Sequence, residues 1–200
     1  MLTLYDFLPS GNGYKVRLLL TQLGQPYELV QLDIAKKETR TAEFLARNPN
    51  GRIPCLRLED GTHLWESNAI QFYLAEGTPF LPAGKLERAQ VLQWMFFEQY
   101  SHEPYIAVVR SWHHLGTLEA NRAQLSDKVE RGYAALGVME SHLATRTYFV
   151  AERYSIADIA LYAYTHVAPE GKFDLAPYPA VRRWLERVRA QPKYVPITKA

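Results

Sequence analysis

The chain of 200 residues carries a formal net charge of +2 at pH 7, with 48% hydrophobic and 22% charged residues. This composition is typical of a globular protein with a buried core, and the length fits one or two domains. The scattered basic residues exclude a nucleic-acid footprint, and the sequence contains no apolar run of about 18 residues that would predict a membrane span. Because no signal peptide is visible and the single cysteine, Cys55, excludes an intrachain disulfide, we expect a cytoplasmic protein.

The first part of the chain alternates between strand and helix patterns up to about residue 76. Leu2 to Phe7 is typical of a short strand, and apolar residues from Val16 to Leu23 repeat at helical spacing until Gly24. The remaining patterns predict a strand over 27–32, a helix over 41–47, two strands over 55–58 and 63–65 joined by a turn, and a helix over 67–75. This β-α-β-α-β-β-α order predicts a small mixed sheet with helices packed on it.

Glycine and proline between residues 77 and 84 mark a linker, after which the hydrophobic period becomes helical throughout. Ile156, Ile159, Ala163 and Val167 keep this spacing, and no strand pattern returns. We therefore predict an α/β domain over residues 1–77 and an all-α domain over residues 85–200.

A polar loop, Ser10-Gly11-Asn12-Gly13, leads into the first helix. The first N–H groups of a helix have no intrahelical partner and carry partial positive charge, so this end attracts an anion. The hydroxyl of Ser10 could help to stabilise such an anion. The alternative is that Ser10 or Asn12 only caps the helix.

Two further stretches precede regular elements in the same domain. Ile53-Pro54 leads into a strand, and a cis bond there would turn the Ile53 backbone groups outward to pair with an extended peptide. Glu66 and Ser67 open a later helix, where they suit the ammonium and carboxylate of an α-amino acid. For these two residues capping alone is again the alternative.

The ordered set of features resembles the cytosolic glutathione S-transferases over essentially the whole chain. The first part is similar to a thioredoxin-type domain, and NPNGRIP at 48–54 followed by Glu66-Ser67 resembles that family's glutathione-site signature. SIAD at 155–158 resembles its buried N-capping box. The resemblance implies a thioredoxin-like α/β N-terminal domain plus an all-α C-terminal domain, with glutathione as co-substrate and no metal.

In this family the first strand–helix loop carries the residue that contacts the glutathione sulfur. Ser10 stands where the serine-type classes, similar to theta and delta, place their hydroxyl, whereas Asn12 resembles the nu-type classes. Gly13 occupies a position often held by cysteine, so no protein thiol is expected there. We predict Ser10 as the first candidate and Asn12 as the second, holding a thiolate without a basic side chain.

The resemblance also assigns the rest of the substrate sites. Arg52 is the candidate for the glycine carboxylate of glutathione, with a solvated turn residue as the alternative. Three lysines are possible helpers, although each is expected to be solvated: Lys15, Lys36 and Lys37. The second substrate is expected between the domains, although an aromatic stripe is also typical of a core. Its predicted lining is Phe7, Leu8, Tyr105, Val108 and Trp112.

Two other groups of residues are predicted to be structural. Glu98 and His102 lie four residues apart without a third ligand, so they are expected to be a surface pair rather than a metal site. Cys55 is expected to point into the sheet as a small apolar side chain.

Three functions remain open at this stage. The first is a glutathione S-transferase that conjugates glutathione to small hydrophobic electrophiles, a detoxification reaction. The second is a glutathione-dependent disulfide reductase or peroxidase of the nu type, with Asn12 leading. The third is a non-catalytic adaptor, which the presence of Ile53-Pro54 and Glu66-Ser67 disfavours. The family also implies a homodimer.

Overall fold

The computed structural model describes residues 1–199, which form two compact units. The first unit contains residues 1–76 and the segment that begins at Pro192, and the second contains Gly77–Gln191. The elements of the first unit are β1 (Leu2–Asp6), α1 (Gly11–Leu23), β2 (Tyr27–Gln31), α2 (Ala42–Arg47), β3 (Cys55–Arg57), β4 (His63–Trp65) and α3 (Ser67–Ala75). The predicted β-α-β-α-β-β-α order is confirmed.

The four strands form one mixed sheet in the order β2-β1-β3-β4. β1 pairs with β2 in parallel, while β3 is antiparallel to both β1 and β4. Helices α1 and α3 cover one face of the sheet, where their apolar residues Val16, Leu20 and Ile70 pack against Leu4 and other strand residues. Helix α2 covers the other face. The alternation of side chains along β1 therefore places Leu4 and Tyr5 in different parts of the core.

The opposite face of the sheet is built around Tyr5, Phe44 and Cys55. Burial raises the pKa of the Cys55 thiol to about 11, so the thiol stays protonated at neutral pH. Cys55 is thus a small apolar side chain in the core, as predicted, and does not supply a thiolate.

The second unit is helical. It contains α4 (Lys85–Phe97), α5 (Glu103–His114), α6 (Arg122–Leu143), α7 (Ile156–Thr165) and α8 (Pro179–Arg189). All ten residues of α7 are buried, which is the expected position for a helix that is apolar on every side. The other helices bury one face each, among them Trp94 of α4, Ile106 of α5 and Trp184 of α8.

A five-residue π-helical segment, Glu98–His102, joins α4 to α5, and Pro104 is the second residue of α5. Glu98 and His102 are both fully buried in it, and His102 Nε2 lies 2.9 Å from Thr165 Oγ1 of α7. The prediction of a surface pair was wrong, because the helix face that carries these residues packs on a helix more than 60 residues later in the chain. Among the residues that the structure describes, no helix is both long and apolar enough to cross a bilayer.

Candidate functional site

Strand register brings the three predicted stretches to one end of the sheet. Tyr5 of β1 pairs with Cys55 of β3, and Cys55 pairs with Trp65 of β4. The loop after β1, the Ile53-Pro54 pair before β3 and the Glu66-Ser67 pair after β4 therefore lie at the same edge. Residues separated by more than 50 positions in sequence become neighbours for this reason.

Helix α1 begins at this edge with a weak cap. Ser10 is the N-cap residue, and its hydroxyl accepts a hydrogen bond from Gly13 N at 3.4 Å, which is long for this type of bond. The first turn of α1 contains no acidic residue. The positive end of the helix dipole is thus not neutralised by a carboxylate within its own first turn, and the half-buried Ser10 lies beside it.

The loop before α1 is held from behind by a buried ion pair that sequence patterns did not reveal. Arg17 Nε donates to Asp6 Oδ2 at 2.9 Å, and both side chains are fully buried. Arg17 also donates to the carbonyls of Leu8, Ile197 and Lys199 at 2.6, 3.0 and 2.6 Å. One guanidinium thus joins the end of β1, the loop and the segment after Pro192.

The Asp6 carboxyl is enclosed against the start of α1. A Cβ added at Gly13 would overlap it, so only glycine fits this close approach. Burial raises the pKa of Asp6 to about 6, although the charge of Arg17 opposes the shift. Asp6 Oδ1 has no hydrogen-bond partner within residues 1–199. This pair shapes the loop rather than facing a ligand.

A buried lysine connects α1 to α3. Lys15 has no exposed surface, and its Nζ donates to Asn12 Oδ1 at 2.8 Å and to Ser67 Oγ at 3.4 Å. Ser67 Oγ in turn donates to Asn12 Oδ1 at 3.2 Å. Lys15 is therefore not a solvated side chain. The sequence could not indicate its burial, because one of its partners lies 52 residues away.

The entrance to α3 has an unusual backbone. Glu66 is exposed and has φ 69° and ψ 111°, a conformation that costs a non-glycine residue about 1–3 kcal/mol. It makes no side-chain cap hydrogen bond, and the first turn of α3 carries no acidic residue. The buried Ser67 follows directly and faces Asn12. Backbone strain of this kind concentrates at binding sites.

The turn before β3 presents the third predicted stretch. The Ile53–Pro54 peptide bond is cis. Asn48 Nδ2 donates to the Arg52 carbonyl at 2.7 Å and so closes this turn. The Arg52 side chain is exposed, and Ile53 is half-buried. The Arg52 side chain is thus accessible from solvent.

The predicted apolar substrate site stays a prediction. Phe7 and Leu8 are half-buried in the loop between β1 and α1. Tyr105, Val108 and Trp112 are half-buried on α5, where their spacing places them on a common side of the helix. Tyr105 lies beneath two cations of α6, with Lys128 Nζ 5.2 Å and Arg131 Cζ 5.8 Å from the ring centre.

The groups at this edge are of the types that bind anions. Two helix N-termini, a buried ammonium, a serine hydroxyl and an amide group provide hydrogen-bond donors, and the adjacent Cys55 thiol is protonated. Within the described part of the chain, no group of three or more His, Cys, Asp or Glu side chains is arranged to hold a metal ion.

Comparison with known proteins gives concordant results for both units. Residues 1–76 match the family model for the glutathione S-transferase N-terminal domain, and residues 92–192 match that for the C-terminal domain. A crystal structure of a glutathione S-transferase from Pseudomonas fluorescens superposes with a TM-score of 0.97 at 54% identity, covering 99% of each chain.

Two further similar proteins are named for different activities, one as a disulfide-bond oxidoreductase and one as a glutathione transferase. The disulfide-bond oxidoreductase YfcG of Escherichia coli is 34% identical, over 96% of this chain and 92% of its own length. A glutathione transferase from Burkholderia graminis, solved with two glutathione molecules per subunit, has a TM-score of 0.85 at 30% identity. That match covers 96% of this chain and 85% of the other.

Proposed function

Because this chain belongs to the glutathione S-transferase family, we propose that it binds glutathione at the sheet edge described above and uses it as a thiolate nucleophile against small hydrophobic electrophiles. The observation that carries the proposal is the hydrogen bond from Ser67 to Asn12 at 3.2 Å, which joins the starts of α1 and α3. A tripeptide with an amino-acid head and a thiol can span two such adjacent sites.

The donor groups match the parts of glutathione. The N-terminus of α3 at Ser67 suits the carboxylate of the γ-glutamyl head, and the exposed Glu66 suits its ammonium. The backbone of Ile53, before Pro54, suits the extended middle of the tripeptide, and Arg52 suits the terminal carboxylate. These assignments follow the family pattern. Their support in this protein is that the three stretches lie at the same edge of the sheet.

The thiolate requires only modest stabilisation. A free thiol has a pKa of about 8.5, and lowering it by about two units takes about 2.7 kcal/mol of preference for the anion. A hydrogen bond to a charged group supplies about 1.5–3 kcal/mol, and a helix N-terminus about 0.3–1 kcal/mol. The Ser10 hydroxyl or the Asn12 amide, together with the start of α1, is sufficient.

The conjugation then follows from proximity. The thiol proton is released to water, and the sulfur lone pair forms a bond to the electrophilic carbon while the leaving group departs with its electron pair. Holding both reactants in one orientation accounts for the remaining acceleration. The apolar residues Phe7, Leu8, Tyr105, Val108 and Trp112 are the proposed contacts of the electrophile.

A second candidate is reduction of disulfides or peroxides by glutathione. The similarity to a protein named as a disulfide-bond oxidoreductase favours it, as does the tie between Asn12 and Ser67. In this case the glutathione thiolate attacks a disulfide sulfur or a peroxide oxygen, the S–S or O–O bond breaks, and a thiol or an alcohol leaves after taking up a proton. A second glutathione thiolate then attacks the glutathione sulfur of the resulting mixed disulfide or sulfenic acid, which releases the other thiol or water and forms glutathione disulfide. The protonated Cys55 takes no part in either reaction.

The experiment begins with retention on immobilised glutathione and turnover of a chloronitrobenzene. Conjugation supports the transferase, whereas turnover only of a hydroxyethyl disulfide or a hydroperoxide supports the reductase. If the protein neither binds glutathione nor turns over any of these substrates, the non-catalytic adaptor remains. Ser10→Ala is expected to raise the pKa of the bound thiol by about one to two units through loss of a hydrogen bond. Ser141→Ala, an exposed serine of α6, is the matched control.

We also propose that the enzyme is a cytoplasmic homodimer. Large aromatic side chains are exposed on both units, namely Trp65 and Tyr73 on the first and Phe96 and Tyr100 on the second. Tyr100 is 83% exposed, and tyrosine is enriched at protein–protein interfaces. Sedimentation is expected to give twice the mass of the chain, and Tyr100→Glu is expected to shift it toward the monomer.

A further inference from the structure

The buried ammonium of Lys15 defines which end of the Asn12 amide points toward Lys15 and Ser67. Lysine has three N–H donors and no acceptor, so the amide atom 2.8 Å from Lys15 Nζ must be the oxygen. The Ser67 hydroxyl donates to the same oxygen at 3.2 Å. The NH2 group of Asn12 is therefore turned away from both Lys15 and Ser67.

This orientation matters because a thiolate is only an acceptor. An asparagine side chain can present either its oxygen or its NH2 group, and only the NH2 group stabilises a negative sulfur. Asn12 is half-buried, so part of this side chain reaches the surface at the start of α1. A fixed donor loses no rotamer freedom when the ligand binds, which makes its hydrogen bond more effective.

Lys15 also connects the two halves of the glutathione site. Its Nζ lies 3.4 Å from Ser67 Oγ, so the same ammonium contacts the residue proposed for the amino-acid head and Asn12, the second candidate for the sulfur contact. Lys15 stands one helical turn after Asn12 on α1, and its side chain is fully buried between the two helices. A displacement of Asn12 or of Ser67 would therefore change the position of the other through Lys15.

We infer that Lys15 is a positioning residue of the glutathione site, which directs the Asn12 NH2 group to the sulfur and fixes it relative to Ser67. This inference rests on the proposed glutathione function. Lys15 acts through Asn12 and does not contact the reacting atoms. It therefore differs from a basic residue that lowers the thiol pKa directly by its charge.

A double-mutant cycle tests the inference through the ultraviolet absorbance of the bound thiolate. Lys15→Met keeps the length of the side chain but removes every donor, and it is expected to raise the pKa of bound glutathione by about one unit. Asn12→Ala is expected to raise it as well. The double variant is expected to match Asn12→Ala alone, because Lys15 acts through that amide. Lys85→Met, at an exposed lysine that begins α4, is expected to change nothing.

The other outcomes overturn the inference. Additive effects in the double variant would mean that Lys15 acts on the sulfur by its charge. A lower melting temperature with an unchanged thiol pKa would mean that Lys15 is only structural. If the unmutated protein fails to bind glutathione, the proposed function fails with it, whereas binding with an unaltered pKa in Lys15→Met refutes only the role of Lys15.

A second variant keeps the test valid if Lys15→Met does not fold. Asn12→Asp retains an oxygen for Lys15 and adds an ion pair, so the contact between α1 and α3 is preserved. The new side chain has no NH2 group to offer. We expect the pKa of the bound thiol to rise by at least one unit, from loss of the donor and from repulsion. An unchanged or lowered pKa would show that the amide does not donate to the sulfur.

Discussion

Helices α1 and α7 both have a serine as N-cap residue, but the hydrogen-bond donors of their first turns are satisfied in different ways. At α7, Ser155 and Asp158 form a capping box, and the carboxylate also accepts from Phe149 N and Trp184 Nε1 at 3.2 and 2.9 Å. At α1, Ser10 provides one long cap bond and no acidic residue follows in the first turn. The carboxylate at α7 belongs to that helix's own first turn, whereas the carboxyl group of Asp6 that lies against the start of α1 belongs to β1 and is paired with Arg17.

The difference separates a structural helix start from one that we propose to bind a ligand. A carboxylate already enclosed at the start of α7 satisfies the donors there and leaves no place for a ligand. The starts of α1 and α3 instead present donors without an acidic residue in either first turn. We propose that an external anion supplies a negative charge there. The same local physics would then give a stable core in the second unit and the proposed glutathione site in the first.

The largest expected effect is on stability, in the Asp158→Ala variant. This change leaves three fully buried donors without an acceptor, the N–H groups of Phe149, Ser155 and Trp184. At about 1–3 kcal/mol for each donor, we expect a loss of at least about 3 kcal/mol in urea unfolding. Asp127→Ala, at an exposed ion pair of α6, is the control and should change stability by less than about 1 kcal/mol. A loss in Asp158→Ala as small as in the control would contradict the closed helix start.

The other end of α7 gives the second prediction. Burial lowers the pKa of His166 from 6.5 to about 4, so the folded protein excludes a proton that the unfolded chain accepts. The contribution of His166 to stability is thus complete above pH 6.5 and is lost as the pH falls toward 4. The expected loss over that range is about 3 kcal/mol.

The His166→Gln variant isolates this term. Burial raises the pKa values of Asp6 and Asp158 to about 6. The folded state therefore binds these protons more readily than the unfolded chain, and these two groups stabilise it as the pH falls, whereas His166 destabilises it. Both carboxyl groups remain in the variant, so they cancel when its unfolding free energy is subtracted from that of the unmutated protein at each pH. A difference that does not change between pH 7 and 4 would show that the fold tolerates a charged His166.

The smallest effect compares the two serine caps directly. Ser155→Ala removes a hydroxyl that donates to Asp158 at 3.1 Å, and it should cost about 1–2 kcal/mol of unfolding free energy. Ser10→Ala removes only a 3.4 Å cap bond and should cost a few tenths of a kcal/mol, as expected for a weak cap. Equal losses in the two variants would mean that Ser10 is a structural cap, and the contrast between the helices would not hold.

Local patterns predicted most of the fold because strand and helix periods depend on neighbouring residues. The strand at His63–Trp65 and the helix at Ser67–Ala75 begin and end where the pattern placed them. The capping box of Ser155 and Asp158 could also be read locally, since its partners are three residues apart. The roles of Ser10, Asn12, Arg52 and Glu66 toward glutathione stay predictions.

The sequence by itself determined the order of elements, the change from an α/β to an all-helical pattern, and the polar loops at the helix starts. The tertiary structure alone decided which polar side chains are buried: Lys15 against Ser67, His102 against Thr165, and Arg17 against Ile197. The physical reason is that a buried charge or hydrogen-bonding group requires partners, and these lie 52, 63 and 180 residues away, beyond the reach of any local period.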